Sequence, residues 1–427
     1  MINKIINNIT CTISSIIVIY EVTIGILQYL GQLPSRHILF RITGTFNNPG
    51  PYGGVLAICL TIIIASIIIG RQHPFTAALS YLSVLLCVIM LPSTRSRAAL
   101  LSLLVGLFFL FKKETDYITR LKSSKVLCII SASIIISTSV LLFYAKKDSA
   151  LGRFHIWRIE ALALKEEPLK GTGPHTVLGT YGLTQAAFFK EKNRSPHTIR
   201  IAGCPQYAFN EYLRIGIEHG IPAMVIFILF IASLIKVSIK HRLSIGYGLI
   251  AFSVFSFFSY PIEACSEKQS PIELVKGRNY IQNGLYPEAI QMLEPLYPGN
   301  ERNYKFLYDL GYALHKECRY EESNFYLTQG AKYSSDPMFH NIMGKNYEAL
   351  SNIPQEENEY IRAHYMVPSR IYPLYLLMQM KCKLGDHDEA ISIGEQILTM
   401  PYNSSHKVMI ELRRECAHLL DSLERDK

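Results

Sequence analysis

GPYGGVLAICLTIIIASIIIG, residues 50–70, runs for 21 residues without a charge. A hydrocarbon core of about 30 Å requires about 20 residues of helix, so this stretch predicts a transmembrane helix. Working outward, residues 9–30, 74–92, 126–145 and 243–262 read the same way, and with 50–70 they contain a single charged residue, Glu21. Gly220 to Ile235 is shorter and follows a helical lead-in from Arg214. Ala98 to Phe111 is shorter still, but Arg97 and Lys112 at its ends can snorkel to the interface. About seven spans are expected.

The 427 residues divide by composition. The whole is 49% hydrophobic and only 18% charged, with a mean hydropathy of +0.17, too apolar for an ordinary soluble chain of this length. Residues 1–265 carry a net charge of +14 and residues 266–427 a net charge of −5, together the +9 of the chain. This excludes a single globular enzyme, a disordered chain and a disulfide-knotted miniprotein. The basic excess sits in the membrane half, so it argues for no nucleic-acid partner.

Lys and Arg are retained on the cytoplasmic side of short loops. One alternate set of loops holds Lys4, Arg71, the cluster Lys112 to Lys125, and Lys236, Lys240 and Arg242; the opposite set holds only Arg36, Arg41, Arg95 and Arg97. The N-terminus is therefore expected inside, and the long loop 146–213 and the C-terminal half outside. The first apolar run is too long for a signal peptide and no small-residue cleavage site follows it, so it reads as a retained helix. Glu21 within it is costly at membrane depth and faces either a partner or the interface.

From about residue 272 the pattern changes to short amphipathic helices with a period near 34 residues. In NGLYPEAI, CRYEESNF, NIPQEENE and LGDHDEAI the turn-to-helix position reads Ala289, Ser323, Glu357 and Ala390, while Gly277, Gly311 and Gly344 repeat upstream. Pro298, Pro337, Pro368 and Pro401 fall near the unit ends. This is similar to the tetratricopeptide repeat, with Glu357 a departure at a normally small position. The expected fold is all-α: a polytopic membrane domain over 1–265 and an α-solenoid of tetratricopeptide-like hairpins over 272–427, closed by a capping helix at 405–424. Such arrays offer a concave surface to protein partners.

Four polar islands fall on the outer side: Phe40 to Gly54, Ser93 to Leu100, Gly152 to Val177 and Phe209 to Ala223. The first ends in a Gly/Pro/Asn-rich turn leading into a helix, whose free N–H groups suit an anion, and Arg41 adds a fixed charge. Arg97, at the outer end of a short helix, suits a phosphate or carboxylate through paired hydrogen bonds, or simply snorkels. Arg153 opens an amphipathic stretch with Trp157, which also reads as an interfacial anchor.

In order and topology these islands resemble the bacterial O-antigen ligase and polymerase superfamily over about residues 20–262. The matching motifs are Arg41 with Gly44 to Pro49, Ser96-Arg97-Ala98, Arg153 with Trp157 and Pro168 to Gly173, and Asn210, Leu213, Glu218 and Gly220. The resemblance implies a transferase that moves a glycan from an undecaprenyl-pyrophosphate carrier onto an acceptor, lipid A core or protein, at the periplasmic face of the bacterial inner membrane. Within that class it also admits a polymerase that extends the lipid-linked glycan. It implies Arg97 and Arg153 as charge stabilisers, and Arg41, Asn48, Trp157 and Asn210 at the substrate. Where the family has a histidine before the asparagine, this chain has Phe209. The base then falls to Glu211, Glu218, His175 or His197. Family members usually have ten or more spans, so the resemblance implies a minimal or truncated version.

Other chemistries fit poorly. The nine cysteines form no C-x-x-C pair, and neither a phosphate loop nor an H-E-x-x-H motif is present; no metal or redox cofactor is expected. A Cys204 to Cys265 disulfide is one option in an oxidising compartment. From a different class, the chain reads as a non-catalytic membrane scaffold that recruits partners through its repeats.

Overall fold

The computed structural model describes residues 2–70, 72–118, 144, 147–191, 194–266, 271–400 and 407–425. Among these every regular element is helical. The chain divides into two compact units: residues 1–150, 209–216 and 221–267 form the first, and residues 151–208, 217–220 and 268–427 the second.

The first unit contains α1 (Ile2–Leu30), α2 (Pro49–Ile69), α3 (Pro74–Met90), α4 (Arg97–Ile118), most of α8 (Glu211–Lys240), α9 (Ile245–Phe258) and the short α10 (Pro261–Ser266). Among the described residues four segments, Ile2–Leu30, Pro49–Ile69, Pro74–Thr94 and Glu211–Lys240, are long and apolar enough to cross a membrane, and α9 is a shorter apolar helix. The stretch 98–111, expected to span, is the apolar start of α4, which continues to Ile118 and is not among these four; the span expected over 126–145 lies outside the described residues.

The centre of this unit is α2, packed by α1, α3, α4 and α9. Its glycines make the approach close: a Cβ on Gly54 would stand 2.3 Å from the Phe255 ring, and one on Gly248 of α9 2.3 Å from Ile62. At the other extreme, only 6% of the apolar window of α8 is buried, and Ile226, Leu229, Phe230 and Val237 are exposed. A helix apolar on every side and left open requires a lipid or protein neighbour.

The second unit contains α5 (Lys147–Ala163, from Leu151), α6 (Val177–Lys190), α7 (Pro196–Ile201), and four helix pairs followed by a last helix: α11 (Ile272–Gln282) with α12 (Tyr286–Leu293), α13 (Tyr304–Lys316) with α14 (Tyr320–Ala331), α15 (Met338–Ala349) with α16 (Ile353–Met366), α17 (Tyr372–Lys383) with α18 (His387–Thr399), and α19 (Lys407–Arg425). The spacing has a packing cause. A Cβ on Gly277, Gly311 or Gly344 would run into Leu293, Leu327 or Tyr360 at 2.5, 2.7 and 2.3 Å, so each first helix admits the large side chain of its second.

In the third pair the sequence register is off by one. The buried position that Ala289, Ser323 and Ala390 occupy at 0% exposure is filled by Glu356, at 5%, and Glu357 lies one residue further round, paired with Lys381. Burial, then Glu348, pushes the Glu356 carboxyl up to about 7.

Residues 151–208 belong to the same compact unit as the helix pairs. Helix α6 packs on α16, and a Cβ on Gly179 would meet the Lys332 carbonyl at 2.2 Å. Ser335 donates to the Pro205 carbonyl at 2.9 Å and Arg370 to Cys204 Sγ at 3.0 Å. Cys204 belongs to the second unit and Cys265 to the first, and each is a free thiol; Arg370 holds the Cys204 sulfur.

Candidate functional site

In the first unit the first and second islands meet. Asn48 caps α2, its Oδ1 accepting the Gly50 N–H at 2.9 Å, with Pro49 and Pro51 in the first turn. Arg95 takes a left-handed conformation, φ 51°, and turns the chain so that α4 starts beside α2. Ser96 Oγ accepts the Ala99 N–H at 3.3 Å and reaches the Gly50 carbonyl at 3.5 Å. A Cβ on Gly53 would stand 2.7 Å from Thr94 Oγ1. Two helix N-termini, each with outward N–H groups and a partial positive charge, are thus adjacent. Arg97 is the first residue of the second and donates to Ser149 Oγ at 3.2 Å.

The turn before α2 is held from α1. Gln28, 4% exposed, accepts the N–H groups of Thr43 and Gly44, each at 2.9 Å, and donates to the Gly44 carbonyl at 2.9 Å. Two turns earlier, Glu21, 5% exposed, accepts the Thr45 N–H at 3.0 Å and its hydroxyl. Gly44 has φ 59°, and a Cβ there would lie 2.4 Å from Glu21 Oε2. Glu21 is therefore a partnered carboxylate, one of the two readings the sequence offered. Gln28 went unread, although its spacing of seven from Glu21 puts both on one helix face. Arg36 donates to the Thr45 carbonyl. Arg41 is exposed and lies over the Tyr29 ring at 5.1 Å.

At the start of α8, Asn210 Oδ1 accepts the N–H groups of Tyr212 and Leu213 at 3.0 and 3.1 Å. Glu211 is fully buried. Its carboxylate accepts from Arg214 Nε at 2.7 Å and from the N–H groups of Ile262 and Glu263 at 2.7 and 3.1 Å. These bonds commit it to holding the start of α10. Phe209, with φ 49°, packs edge-on to Tyr260.

In the second unit the third and fourth islands are joined backbone to backbone. The turn over residues 168–173 lies against residues 217–220, where α8 is broken by Gly220 (φ 86°) ahead of Pro222. Thr172 N–H donates to the Ile217 carbonyl at 2.8 Å and Gly173 N–H to the Glu218 carbonyl at 3.0 Å. A Cβ on Gly171 would lie 2.5 Å from the Glu218 carbonyl, and one on Gly220 2.2 Å from that of Leu169. Glu218 is 3% exposed, with His219 Nε2 at 3.9 Å. His175, in a left-handed conformation, and His197 are exposed.

Arg153 and Trp157 are half-buried and four residues apart on α5, hence on one face; Trp157 meets Phe154 edge-on at 5.5 Å. The helix is anchored by His155, whose Nε2 pairs with Gln185 Oε1 at 2.8 Å and whose imidazole burial holds below the ordinary range. Gln185 also accepts from Tyr181 and donates to the Gly203 and Met366 carbonyls, joining α5, α6 and the third helix pair. No motif announced His155 or Gln185.

Residues 52–228 match the model of a family described as O-antigen ligase. The match covers the second, third and fourth islands through the break at Gly220, and it leaves Arg41 to Pro51 outside. It supports a membrane glycan transferase of ligase or polymerase type. No curated protein matches the chain.

Proposed function

We propose that the protein transfers a glycan from an undecaprenyl-pyrophosphate carrier to an acceptor at the periplasmic face of the inner membrane. The observation that carries this reading is the adjacency of the α2 and α4 N-termini with Arg97 at the second. Fixed N–H dipoles and a guanidinium need no reorganisation to receive a pyrophosphate, whose charge grows as it departs.

In the proposed reaction the acceptor oxygen attacks the anomeric carbon, the bond from that carbon to the pyrophosphate oxygen breaks, and a base takes the acceptor proton. Arg97 and Arg153 neutralise the leaving pyrophosphate; Arg41, Asn48, Trp157 and Asn210 border the substrate. With Glu211 committed to backbone N–H groups, the base is assigned to Glu218, with His175 second. The helix pairs, read as tetratricopeptide-like, gather the acceptor.

The test is a reconstituted transfer assay with extracted lipid-linked oligosaccharide and candidate acceptors. Arg97→Ala and Arg153→Ala are expected to lose about 10² to 10³ in rate, the loss typical of a removed oxyanion donor, while still binding repeat-domain partners. Glycan on the acceptor marks a ligase, and a longer glycan on the carrier a polymerase. No transfer by folded wild type given the correct donor would replace this reading with a scaffold.

A further inference from the structure

Three of the apolar helices of the first unit end around one cavity of about 330 Å³. The start of α1 supplies Asn3, Lys4 and Asn8, the segment after α2 supplies Gln72, and the end of α8 supplies His241 and Arg242. Two of the lining residues are cationic and none is acidic. None of this belongs to the transferase site.

The cavity is built rather than incidental. Asn7 donates to the Arg242 carbonyl at 3.0 Å and accepts the Ser244 N–H at 2.9 Å, and Asn3 donates to the His241 carbonyl at 3.0 Å. These bonds staple the first turns of α1 to a chain reversal in which Arg242 has φ 53°. Behind it Glu114, 3% exposed, accepts Arg242 Nη2 at 2.6 Å and the Tyr247 hydroxyl at 3.0 Å. Lys4 and Asn8 make no side-chain hydrogen bond among the described residues, which leaves an ammonium and an amide to face a guest. Leading up to His241, Ile226, Phe230, Leu234 and Val237 follow one another at three- and four-residue spacing along one face of α8 and are all more than a third exposed.

We propose that this cavity binds the phosphate headgroup of an anionic phospholipid, with an acyl chain along the apolar stripe of α8. Converging cations and amides between transmembrane helix ends suit a phosphate. The stripe makes the phosphate that of a lipid, since a soluble phosphate has no use for apolar wall. The headgroup ties α1, α2 and α8 together at their shared end.

The test uses the full chain in detergent, titrated with phosphatidylglycerol or phosphatidylcholine, retained lipid being counted by native mass spectrometry. Wild type is expected to retain phosphatidylglycerol selectively. Lys4→Gln combined with Asn8→Leu is expected to weaken retention about fivefold to tenfold, the loss of one surface cation and one amide. Neither substitution touches the Asn7 staple. Lys236→Gln, the same charge change on the exposed α8 outside the cavity, is expected to retain lipid as wild type does. Equal retention of phosphatidylcholine, or equal weakening by Lys236→Gln, would overturn the proposal. Saturable binding of inorganic phosphate that Lys4→Gln abolishes, without selective lipid retention, would overturn the lipid assignment and identify a soluble-anion site.

Discussion

Replacing Gln28 with leucine tests whether α1 holds the turn that precedes α2. The amide makes three bonds of 2.9 Å with the backbone of Thr43 and Gly44, and leucine makes none. Each such bond contributes about 0.5–1.5 kcal/mol net, and a buried backbone group left without a partner costs about 1–3 kcal/mol. With partial relaxation and water entry the turn is expected to lose about 3 kcal/mol of local stability, or about a hundredfold in its opening equilibrium. Hydrogen exchange measured on the full chain in detergent reads this directly. The amides of Thr43 and Gly44 are expected to exchange about a hundredfold faster, with those in the middle of α2 unchanged. Gln28→Glu, which keeps the two accepted bonds and loses the donated one, is expected to fall between. Exchange at Thr43 and Gly44 within about threefold of wild type would refute the clamp, because no relaxation can restore three bonds to a leucine.

Gly220→Ala is expected to destabilise the chain by about 2 kcal/mol or more, since φ 86° and a Cβ 2.2 Å from the Leu169 carbonyl combine backbone strain with a clash; exchange in residues 168–173 checks it. Gln185→Leu is expected to cost about 3–5 kcal/mol by stranding several buried partners, seen as faster proteolysis within 151–208. Glu356 has a folded pKa of about 7 against an ordinary 4.5, so its stabilising contribution is complete below 4.5 and lost as pH rises through 7. Glu356→Gln is therefore expected to melt above wild type at pH 8 by up to about 3 kcal/mol and to match it near pH 4.5. His364 runs oppositely: burial holds its pKa near 4 against 6.5, so its contribution is present above 6.5 and falls away towards pH 4, and His364→Leu is expected to flatten that acid limb of the melting curve.

The membrane half was readable where physics leaves little choice. A run such as residues 50–70, without one charge, has few stable environments, and the helix over Pro49–Ile69 follows. The glycines of the islands were readable as motifs but not as a mechanism. Only the structure reveals that Gly171 and Gly220 serve one contact, each admitting the other segment's backbone. The repeat register slipped at Glu356 because it was counted by a period near 34 from Ser323, which reaches 357. Gly277, Gly311 and Gly344 each precede the buried small position by twelve residues, and that count from Gly344 reaches 356. Gln185 was invisible for a different reason. Most of its partners lie outside its own helix, one of them the carbonyl of Met366, 181 residues away, and pattern along the chain carries no trace of such a bond.

Phe209 bears on where the proton goes. Its left-handed backbone and its ring against Tyr260 fix the approach to Asn210, whose side-chain oxygen is committed to capping α8. The carboxylate that follows, Glu211, is saturated by one guanidinium and two backbone N–H groups. Its oxygens are engaged in holding the start of α10, which gives Glu211 a structural role. Glu218 lies buried beside the backbone break at Gly220, against the turn over residues 168–173. On this argument Glu218→Gln is expected to lower kcat with little change in KM and to remove the acid limb of the pH profile, whereas Glu211→Gln is expected to lower stability and leave the profile's shape intact. The reverse pattern, an unchanged profile in Glu218→Gln and a lost limb in Glu211→Gln, would return the base to Glu211.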